Sequence, residues 1–142
     1  MFTLISEIEF DMAHFLSGYD GKCANIHGHR YKLVVKIQKE ELIQEGQERG
    51  MVTDFNQVKR NLKIIQDLFD HKLVVEGNEE GKQLRDSIGG SYECFFVPYR
   101  PTAEEMSRDI FNRLTDLGLA VAEVELFETP TNRCAYSRST GA

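Results

Sequence analysis

The sequence of 142 residues lacks long apolar runs, internal repeats and low-complexity segments. Because a membrane helix needs about 20 apolar residues in a row, no segment is expected to span a membrane. The first residues, Met1 to Ser6, also lack the basic start and the extended apolar stretch of a signal peptide. The length predicts a single domain over residues 1–142 that is large enough to bury one core.

Cysteine and positive charge are also scarce. The chain has three cysteines, and this odd number excludes a complete intramolecular disulfide framework. We therefore expect a protein of the reducing cytoplasm. Lysine and arginine number 17 against 23 acidic residues, which gives a net charge of −6. This balance argues against a general nucleic-acid-binding protein, which normally presents a basic face.

Alternating apolar residues predict the main strands. One strand is predicted over residues 2–13, with a break near Ser6, and a second over residues 27–38. Shorter strands are predicted over residues 93–97, 121–128 and 134–138.

Two helices are predicted from their caps and apolar stripes. Asp54 is a suitable N-cap for a helix that ends near Phe69. Thr102 and Glu105 fit a capping box at the start of a second helix, which ends near Leu117 before a glycine. The buried faces are predicted to contain Phe55, Val58, Leu62, Ile65 and Phe69 in the first helix and Met106, Ile110, Leu114 and Leu117 in the second.

The order of these elements indicates an α+β domain. Residues 76–92 are polar and contain glycines, which is typical of a surface excursion rather than of a core element. The remaining strands and helices predict an antiparallel sheet that is covered by helices on one side.

The four histidines fall into three short patches. His27 and His29 are two residues apart, so in a strand their side chains point to the same face. If the first two strands pair as a hairpin, His14 reaches that face as well. Three neutral imidazoles with an open fourth position are typical of a catalytic zinc. An isolated pair of this kind is more often two surface histidines, but His14 and the adjacent Cys23 favour a metal site.

Cys23 precedes the histidine pair in a loop-like segment. It could be a fourth zinc ligand, or it could act as a base beside the zinc, whose positive charge favours the thiolate. Cys94 and Cys134 fit inert buried cysteines better, because both lie in apolar strand segments.

Two further patches place carboxylates where they can orient a histidine or bind a ligand. Asp70 and His71 follow the first helix, where the carboxylate can orient the imidazole or the histidine can simply meet the helix dipole. Glu128 lies on the inward face of a strand, where a carboxylate is costly unless it is paired or meets a ligand. It could accept two hydrogen bonds from a pterin-like or guanine-like ring edge, or it could bond to local backbone amides.

These patches, in this order, resemble the family of 6-pyruvoyl- and 6-carboxy-tetrahydropterin synthases. The resemblance extends over nearly the whole chain, and its motifs are specific in combination. The matching segments are Phe10–His14, Cys23–Tyr31, Gly50–Phe55, Phe69–Lys72, Pro101–Glu104 and Glu128–Thr129.

The resemblance implies the tunnelling fold, an α+β architecture in which a four-stranded antiparallel sheet carries two helices on one face. In that family three subunits close their sheets into a barrel, and two trimers stack into a homohexamer. The implied site consists of zinc ligands (His14, His27 and His29), a base (Cys23), its helpers from a neighbouring subunit (Asp70 and His71) and pterin-binding residues (Glu128, Thr102 and Glu104).

The spacing between the cysteine and the histidine pair separates branches of the family. Three residues lie between Cys23 and His27, which resembles the bacterial 6-carboxy-tetrahydropterin synthases of the queuosine pathway. The animal pyruvoyl enzymes have a longer gap, and the folate-pathway variant has glutamate in place of the cysteine. Residues 76–100 are longer than in compact family members, so the resemblance does not describe the rim of the pocket.

This branch implies a zinc-dependent lyase that converts 7,8-dihydroneopterin triphosphate to 6-carboxy-tetrahydropterin, acetaldehyde and triphosphate. Two other hypotheses remain open at this point. One is a 6-pyruvoyl-tetrahydropterin synthase, which eliminates triphosphate without cleaving a carbon–carbon bond. The other is a non-catalytic module that binds a pterin or a purine on the same fold.

Overall fold

A long hairpin forms the centre of the computed structural model, which describes residues 1–139. Residues 140–142, the end of the predicted single domain, lie outside the described residues. The strands are β1 (Phe2–His14), β2 (His27–Lys39), β3 (Leu73–Glu76), β4 (Cys94–Val97), β5 (Val121–Thr129) and β6 (Asn132–Tyr136). The helices are α1 (Phe55–Phe69), α2 (Glu79–Ile88) and α3 (Ala103–Asp116).

The strands form one mixed sheet in the order β4-β3-β1-β2-β5-β6. Strands β1 and β2 pair antiparallel along their whole length, and β5 and β6 continue the antiparallel part. Strand β3 runs parallel to β1 and to β4. The α+β class is confirmed, whereas the expected four-stranded antiparallel sheet is wrong, because β3 and β4 add a short parallel extension.

Strand β1 is continuous, so the predicted break near Ser6 is wrong. Ser6 pairs with Val35 in an uninterrupted ladder, and it lies on the same face as the buried Phe10 and Met12. A polar residue near the outer end of a strand interrupts the apolar pattern without interrupting the backbone hydrogen bonds.

Helix α1 begins where its cap predicts. The Asp54 carboxylate accepts a hydrogen bond of 2.8 Å from the backbone N–H of Asn56, and the helix ends at Phe69 as expected. Phe55 is an exception to the predicted stripe, because its side chain is 52% exposed in the first turn. The other four predicted positions are fully buried, namely Val58, Leu62, Ile65 and Phe69.

We expect Phe69→Ala to lower the free energy of unfolding by about 3–5 kcal/mol. The ring of Phe69 lies 5.6 Å from the ring of Phe10 and 5.4 Å from that of Phe95, so its removal leaves a cavity between helix and sheet. The matched control is Phe55→Ala in the same helix, which should cost about 1 kcal/mol or less. Urea denaturation measures both variants, and equal losses would contradict this packing.

Helix α3 covers the other half of the same sheet face, against β5 and β6. The Thr102 hydroxyl accepts a hydrogen bond of 3.2 Å from the backbone N–H of Glu105, which is one half of the predicted capping box. The reciprocal half is absent, because the Glu105 side chain pairs with Arg108 instead. Leu117 lies beyond the last turn and is partly exposed, whereas Met106, Ile110 and Leu114 are fully buried.

The segment that was predicted to be a surface excursion contains α2. The Asn78 side chain accepts a hydrogen bond of 2.8 Å from the backbone N–H of Gly81 and so caps the helix. Gly81 is buried against β3, where a Cβ atom would lie 2.2 Å from the carbonyl oxygen of Glu76. Only glycine allows this contact, so α2 is anchored to the sheet by backbone proximity rather than by an apolar stripe. No helix in residues 1–139 is both long and apolar enough to cross a membrane.

Candidate metal centre

The hairpin brings three histidines to one end of the sheet. His14 is the last residue of β1 and pairs with His27, the first residue of β2. His29 pairs with Met12 and lies on the same face as His27. One ring nitrogen of each histidine lies within 4.8 Å of the other two. The predicted cluster is therefore assembled by the register of β1 and β2.

Backbone carbonyls orient two of the three imidazoles. His14 Nδ1 lies 2.7 Å from the carbonyl oxygen of Pro101, and His27 Nδ1 lies 2.7 Å from that of Asn25. Because a carbonyl oxygen only accepts, each Nδ1 carries the proton and donates it. In the neutral rings, each Nε2 then presents a lone pair, as metal-binding histidines do.

The spacing of these lone pairs fits a divalent metal ion. The Nε2 atoms of His14 and His27 lie 3.1 Å apart. Two nitrogen ligands of a tetrahedral zinc are separated by about 3.3 Å, given zinc–nitrogen bonds of 2.0–2.1 Å. Two facing lone pairs repel unless a proton or a cation lies between them. The cluster therefore has the donor set and spacing of a histidine metal site.

Glu128 lies beside the cluster at the end of β5. Its Oε1 atom lies 3.4 Å from His14 Nε2 and 3.7 Å from His29 Nε2. The hydrogen bond with His14 lowers the pKa of the Glu128 carboxyl, although partial burial opposes this shift. A metal ion at the same nitrogen supplies charge of the same sign, so Glu128 is held as a carboxylate in either case.

The pKa of His29 is lowered from its ordinary value. Burial is the largest cause, and the neighbouring His14 and His27 act in the same direction, whereas Glu128 opposes them. A lowered pKa favours the neutral imidazole, which is the form that binds metal.

Tyr31 is a neighbour that the sequence reasoning missed. It is fully buried, and its hydroxyl oxygen lies 3.4 Å from His14 Nε2. Burial and the negative charge of Glu128 raise the pKa of Tyr31, so its hydroxyl keeps its proton. The sequence contained a signal for this placement, because His27, His29 and Tyr31 alternate along one face of β2.

Cys23 lies in a short turn, Lys22–Ala24, and is half-buried. Its backbone carbonyl accepts a hydrogen bond of 2.8 Å from the N–H of Leu16. Its sulfur does not belong to the group of converging metal-binding atoms found among residues 1–139. Cys23 is thus close to the histidine pair in the sequence, but its thiol lies outside their ligand cluster in the structure.

Asp70 and His71 form a pair that is fixed to the backbone of β1. Asp70 Oδ1 accepts a 2.9 Å hydrogen bond from the N–H of Asp11, and the N–H of His71 donates to the Asp11 carbonyl at 2.6 Å. Asp70 Oδ2 lies 2.9 Å from His71 Nδ1. The hydrogen bond from Asp11, followed by that from His71, lowers the pKa of Asp70. His71 adopts a left-handed φ of 59°, which is uncommon for a residue other than glycine.

His71 is largely exposed and borders a cavity of about 650 Å³ together with Asp11, Gly28 and Arg30. Its only side-chain partner among the described residues is Asp70. Within one chain, the pair is therefore not joined to Cys23 or to the histidine cluster by a hydrogen bond or an ion pair.

The remaining predicted residues lie near the start of α3. Glu104 is exposed and borders a cavity of about 390 Å³ with Glu128, Asn132 and Arg133. Thr102 is used as the cap of α3 and does not line this cavity. Glu128 also borders a second cavity of about 360 Å³, which it shares with His29. His29 also lines the 650 Å³ cavity that His71 borders, so both Glu128 and His29 face open space.

Comparisons with known proteins identify a family model and several named relatives. The family model of 6-pyruvoyl tetrahydropterin synthase matches residues 3–139. A Haemophilus influenzae protein named 6-carboxy-5,6,7,8-tetrahydropterin synthase is 44% identical over 96% of this chain and 99% of its own. A Rickettsia bellii protein of the same name is 34% identical over 92% of this chain and 96% of its own.

The fold has counterparts among solved structures. The 6-pyruvoyl tetrahydropterin synthase of Caenorhabditis elegans superimposes with a TM-score of 0.69, covering 97% of this chain and 96% of that one. At 23% identity this likeness shows the fold alone. The match of the family model over nearly the whole chain goes further: the chain belongs to the 6-pyruvoyl tetrahydropterin synthase family.

Proposed function

We propose that the protein is a zinc-dependent 6-carboxy-5,6,7,8-tetrahydropterin synthase of queuosine biosynthesis. It would convert 7,8-dihydroneopterin triphosphate to 6-carboxy-tetrahydropterin, acetaldehyde and triphosphate. The observation that carries this proposal is the convergence of three imidazoles, two of them oriented by backbone carbonyls, beside the Glu128 carboxylate. The names of its relatives support the choice of reaction.

In this proposal His14, His27 and His29 hold one zinc ion. Three histidine ligands leave a coordination position open, which is typical of catalytic rather than structural zinc. Bound there, zinc would polarise hydroxyl groups of the substrate side chain and stabilise negative charge on their oxygens.

Cys23 and His71 are proposed to move protons on the substrate side chain. The Cys23 thiol lies outside the ligand cluster, which leaves it available as a base. Asp70 holds His71 through Nδ1, so that Nε2 of the exposed ring is free to exchange a proton. Because this pair makes no hydrogen bond or ion pair to Cys23 or to the histidine cluster within one chain, we propose that it serves the site of a neighbouring subunit.

Glu128 is proposed to anchor the pterin ring. A carboxylate can accept hydrogen bonds from the ring N–H and the exocyclic amine together, and Glu128 borders two cavities large enough to admit part of a ligand. Glu104 lines one of these cavities, and Thr102 supports the start of the helix that carries it.

The direct test is incubation of the zinc-loaded protein with 7,8-dihydroneopterin triphosphate and analysis by mass spectrometry. Formation of 6-carboxy-tetrahydropterin with acetaldehyde is expected. A 6-pyruvoyl product without acetaldehyde would assign the sister activity instead. Binding of the pterin without turnover would assign a non-catalytic module. Protein treated with a chelator is the control for dependence on the metal.

We expect Glu128→Gln to weaken pterin binding about 5- to 150-fold, which corresponds to 1–3 kcal/mol. The amide presents one donor where the ring needs an acceptor, so a buried polar group stays unpaired. Zinc content should remain near that of the unchanged protein. The matched control is Glu125→Gln, which lies in the same strand on the opposite face and pairs with Lys36. Calorimetric titration with a pterin measures both, and unchanged affinity in Glu128→Gln would remove Glu128 from the site.

We also propose that the protein is a homohexamer built of two barrel-shaped trimers. Strands β4 and β6 are the edges of the sheet within residues 1–139. Open sheet edges invite pairing with other chains, and closing several sheets into one barrel removes them.

Subunit mixing tests this assembly. Inactive Cys23→Ala and inactive His71→Ala subunits should recover partial activity after exchange, because some interfaces then join an intact Cys23 with an intact Asp70–His71 pair. Mixing Cys23→Ala subunits with one another provides the control. No recovery after confirmed exchange, or a fully active monomer, would contradict sites shared between subunits.

A further inference from the structure

The loop of residues 15–26 joins β1 to β2 and carries Cys23; we refer to it as the Cys23 loop. Inside it, the N–H of Leu16 donates to the carbonyl of Cys23 at 2.8 Å. The backbone position of Cys23 therefore depends on that of Leu16, which is followed directly by Ser17. Whatever holds Ser17 also restrains the residue that bears the thiol.

Ser17 is held by residues from a distant part of the chain. Its hydroxyl donates to the Glu80 carboxylate and accepts a 3.1 Å hydrogen bond from Nδ2 of Asn78. Its carbonyl accepts a 3.3 Å hydrogen bond from Arg100. Two of these three partners belong to the start of α2, because Asn78 is its cap and Glu80 lies in its first turn.

The start of α2 is itself fixed on the sheet. Asn78 uses Oδ1 to cap the N–H of Gly81, so that its Nδ2 group is directed to Ser17 without loss of the cap. Gly81 lies so close to β3 that a Cβ atom would meet the carbonyl of Glu76 at 2.2 Å and Val75 at 2.6 Å. A rigid path of contacts thus leads from β3 through α2 to Ser17.

Beyond Ser17 the loop and the helix separate. A cavity of about 440 Å³ lies between the two ends of the Cys23 loop and α2. The loop therefore lacks close packing on this side, and its hydrogen bonds to the helix start carry its placement. The cavity is lined by Phe15 and residues 24–26 of the loop and by Glu80, Gln83, Leu84 and Ser87 of the helix.

We propose that α2, through Asn78 and Glu80, fixes Ser17 and thereby positions the Cys23 thiol. Asn78 and Ser17 are then positioning residues for the reaction, and α2 is a support for the thiol as well as a covering of the sheet. The inference rests on the proposed role of Cys23 as a base, but the placement of the loop can be measured without any substrate.

The first test uses Ser17→Ala and Asn78→Asp. The second variant keeps an acceptor for the cap of α2 but loses the donor to Ser17, so it separates support of the loop from stability of the helix. Amide hydrogen exchange at Leu16 should become about 5- to 30-fold faster in both, as expected for the loss of 1–2 kcal/mol of local stability. Alkylation of Cys23 by iodoacetamide, located by peptide mass spectrometry, should accelerate, while that of Cys94 stays unchanged.

Two matched variants sharpen the comparison. Ser87→Ala removes a hydroxyl from the same helix, where its 3.0 Å hydrogen bond to Gln83 remains within α2, and it should leave exchange at Leu16 unchanged. Ser17→Thr keeps the hydroxyl and should restore slow exchange. Unchanged exchange and alkylation in Ser17→Ala and Asn78→Asp would overturn the inference.

Turnover separates this inference from the proposed function. In an active protein, kcat should fall about tenfold to a hundredfold in both variants with KM unchanged, because the base is displaced while the pterin pocket is not. An unchanged kcat despite a loosened loop would overturn the positioning role. If the wild-type protein does not turn over the substrate, the proposed function fails, and exchange and alkylation still decide whether α2 supports the loop.

Discussion

Cys23→Ala is expected to lower turnover about a hundred- to ten-thousand-fold, which is the range for the loss of a general base. The protein should keep its fold and about one zinc per chain, because the sulfur lies outside the cluster of ligand nitrogens. The effect is expected to be large because alanine has no group that can take up a proton. Steady-state kinetics and metal analysis of the same preparation measure both quantities.

Cys94→Ala is the matched control for this result. Cys94 is also a free cysteine of intermediate burial, but it lies in β4 rather than beside the histidines. Its replacement should leave turnover near the wild-type value. A zinc–sulfur bond of roughly 2.3 Å in the zinc-loaded protein would contradict the assignment of Cys23 as a base. Loss of zinc from Cys23→Ala would do the same.

His27→Ala is expected to empty the metal centre and to abolish turnover. The variant removes one of three ligands and leaves the Nε2 lone pair of His14 without its facing partner at 3.1 Å. Loss of a group that merely hydrogen-bonds to a metal ligand costs about 10- to 100-fold in affinity, so loss of the ligand itself should exceed that range. Competition with a chromogenic zinc chelator measures the affinity.

The fourth histidine supplies the control. His71→Ala should bind zinc as the unchanged protein does, because His71 is paired with Asp70 and lies outside the cluster. Its turnover should nevertheless fall, so the two variants separate metal binding from proton transfer. Zinc should raise the melting temperature of His71→Ala but not that of His27→Ala, since a ligand stabilises only a protein that binds it. Full zinc binding by His27→Ala would contradict the proposed ligand set.

Local signals in the sequence are sufficient to predict those elements that have both a cap and a full apolar or alternating pattern. Helix α1 has a capping aspartate and an apolar stripe over four turns, and both its ends were predicted. The histidine cluster followed from two simple facts, the alternation of side chains in β2 and the pairing of β1 with β2 as a hairpin. His14 joins the cluster because β1 and β2 pair in one register along the whole hairpin, which places His14 opposite His27.

The missed elements depend on contacts between distant residues. Strand β3 has four residues, too few for a period to be read, and it exists because β1 and β4 pair with it on either side. Helix α2 has Gly81 as its only buried residue, so it shows no stripe that would distinguish it from a loop. Phe55 fits the spacing of the apolar stripe, but its side chain is exposed in the first turn of the helix, so spacing alone does not decide its burial.

The hydrogen bond between His14 and Pro101, which lies 87 residues later in the chain, couples the candidate metal centre to the start of α3. Pro101 is buried and immediately precedes the cap of α3, so its carbonyl is in place only when the start of that helix is docked. Undocking would release the His14 ring to rotate and to exchange its tautomer. For a metal ion held by the three histidines, the binding free energy would therefore include the work of docking α3, and its rate of release would be coupled to the local opening of that helix.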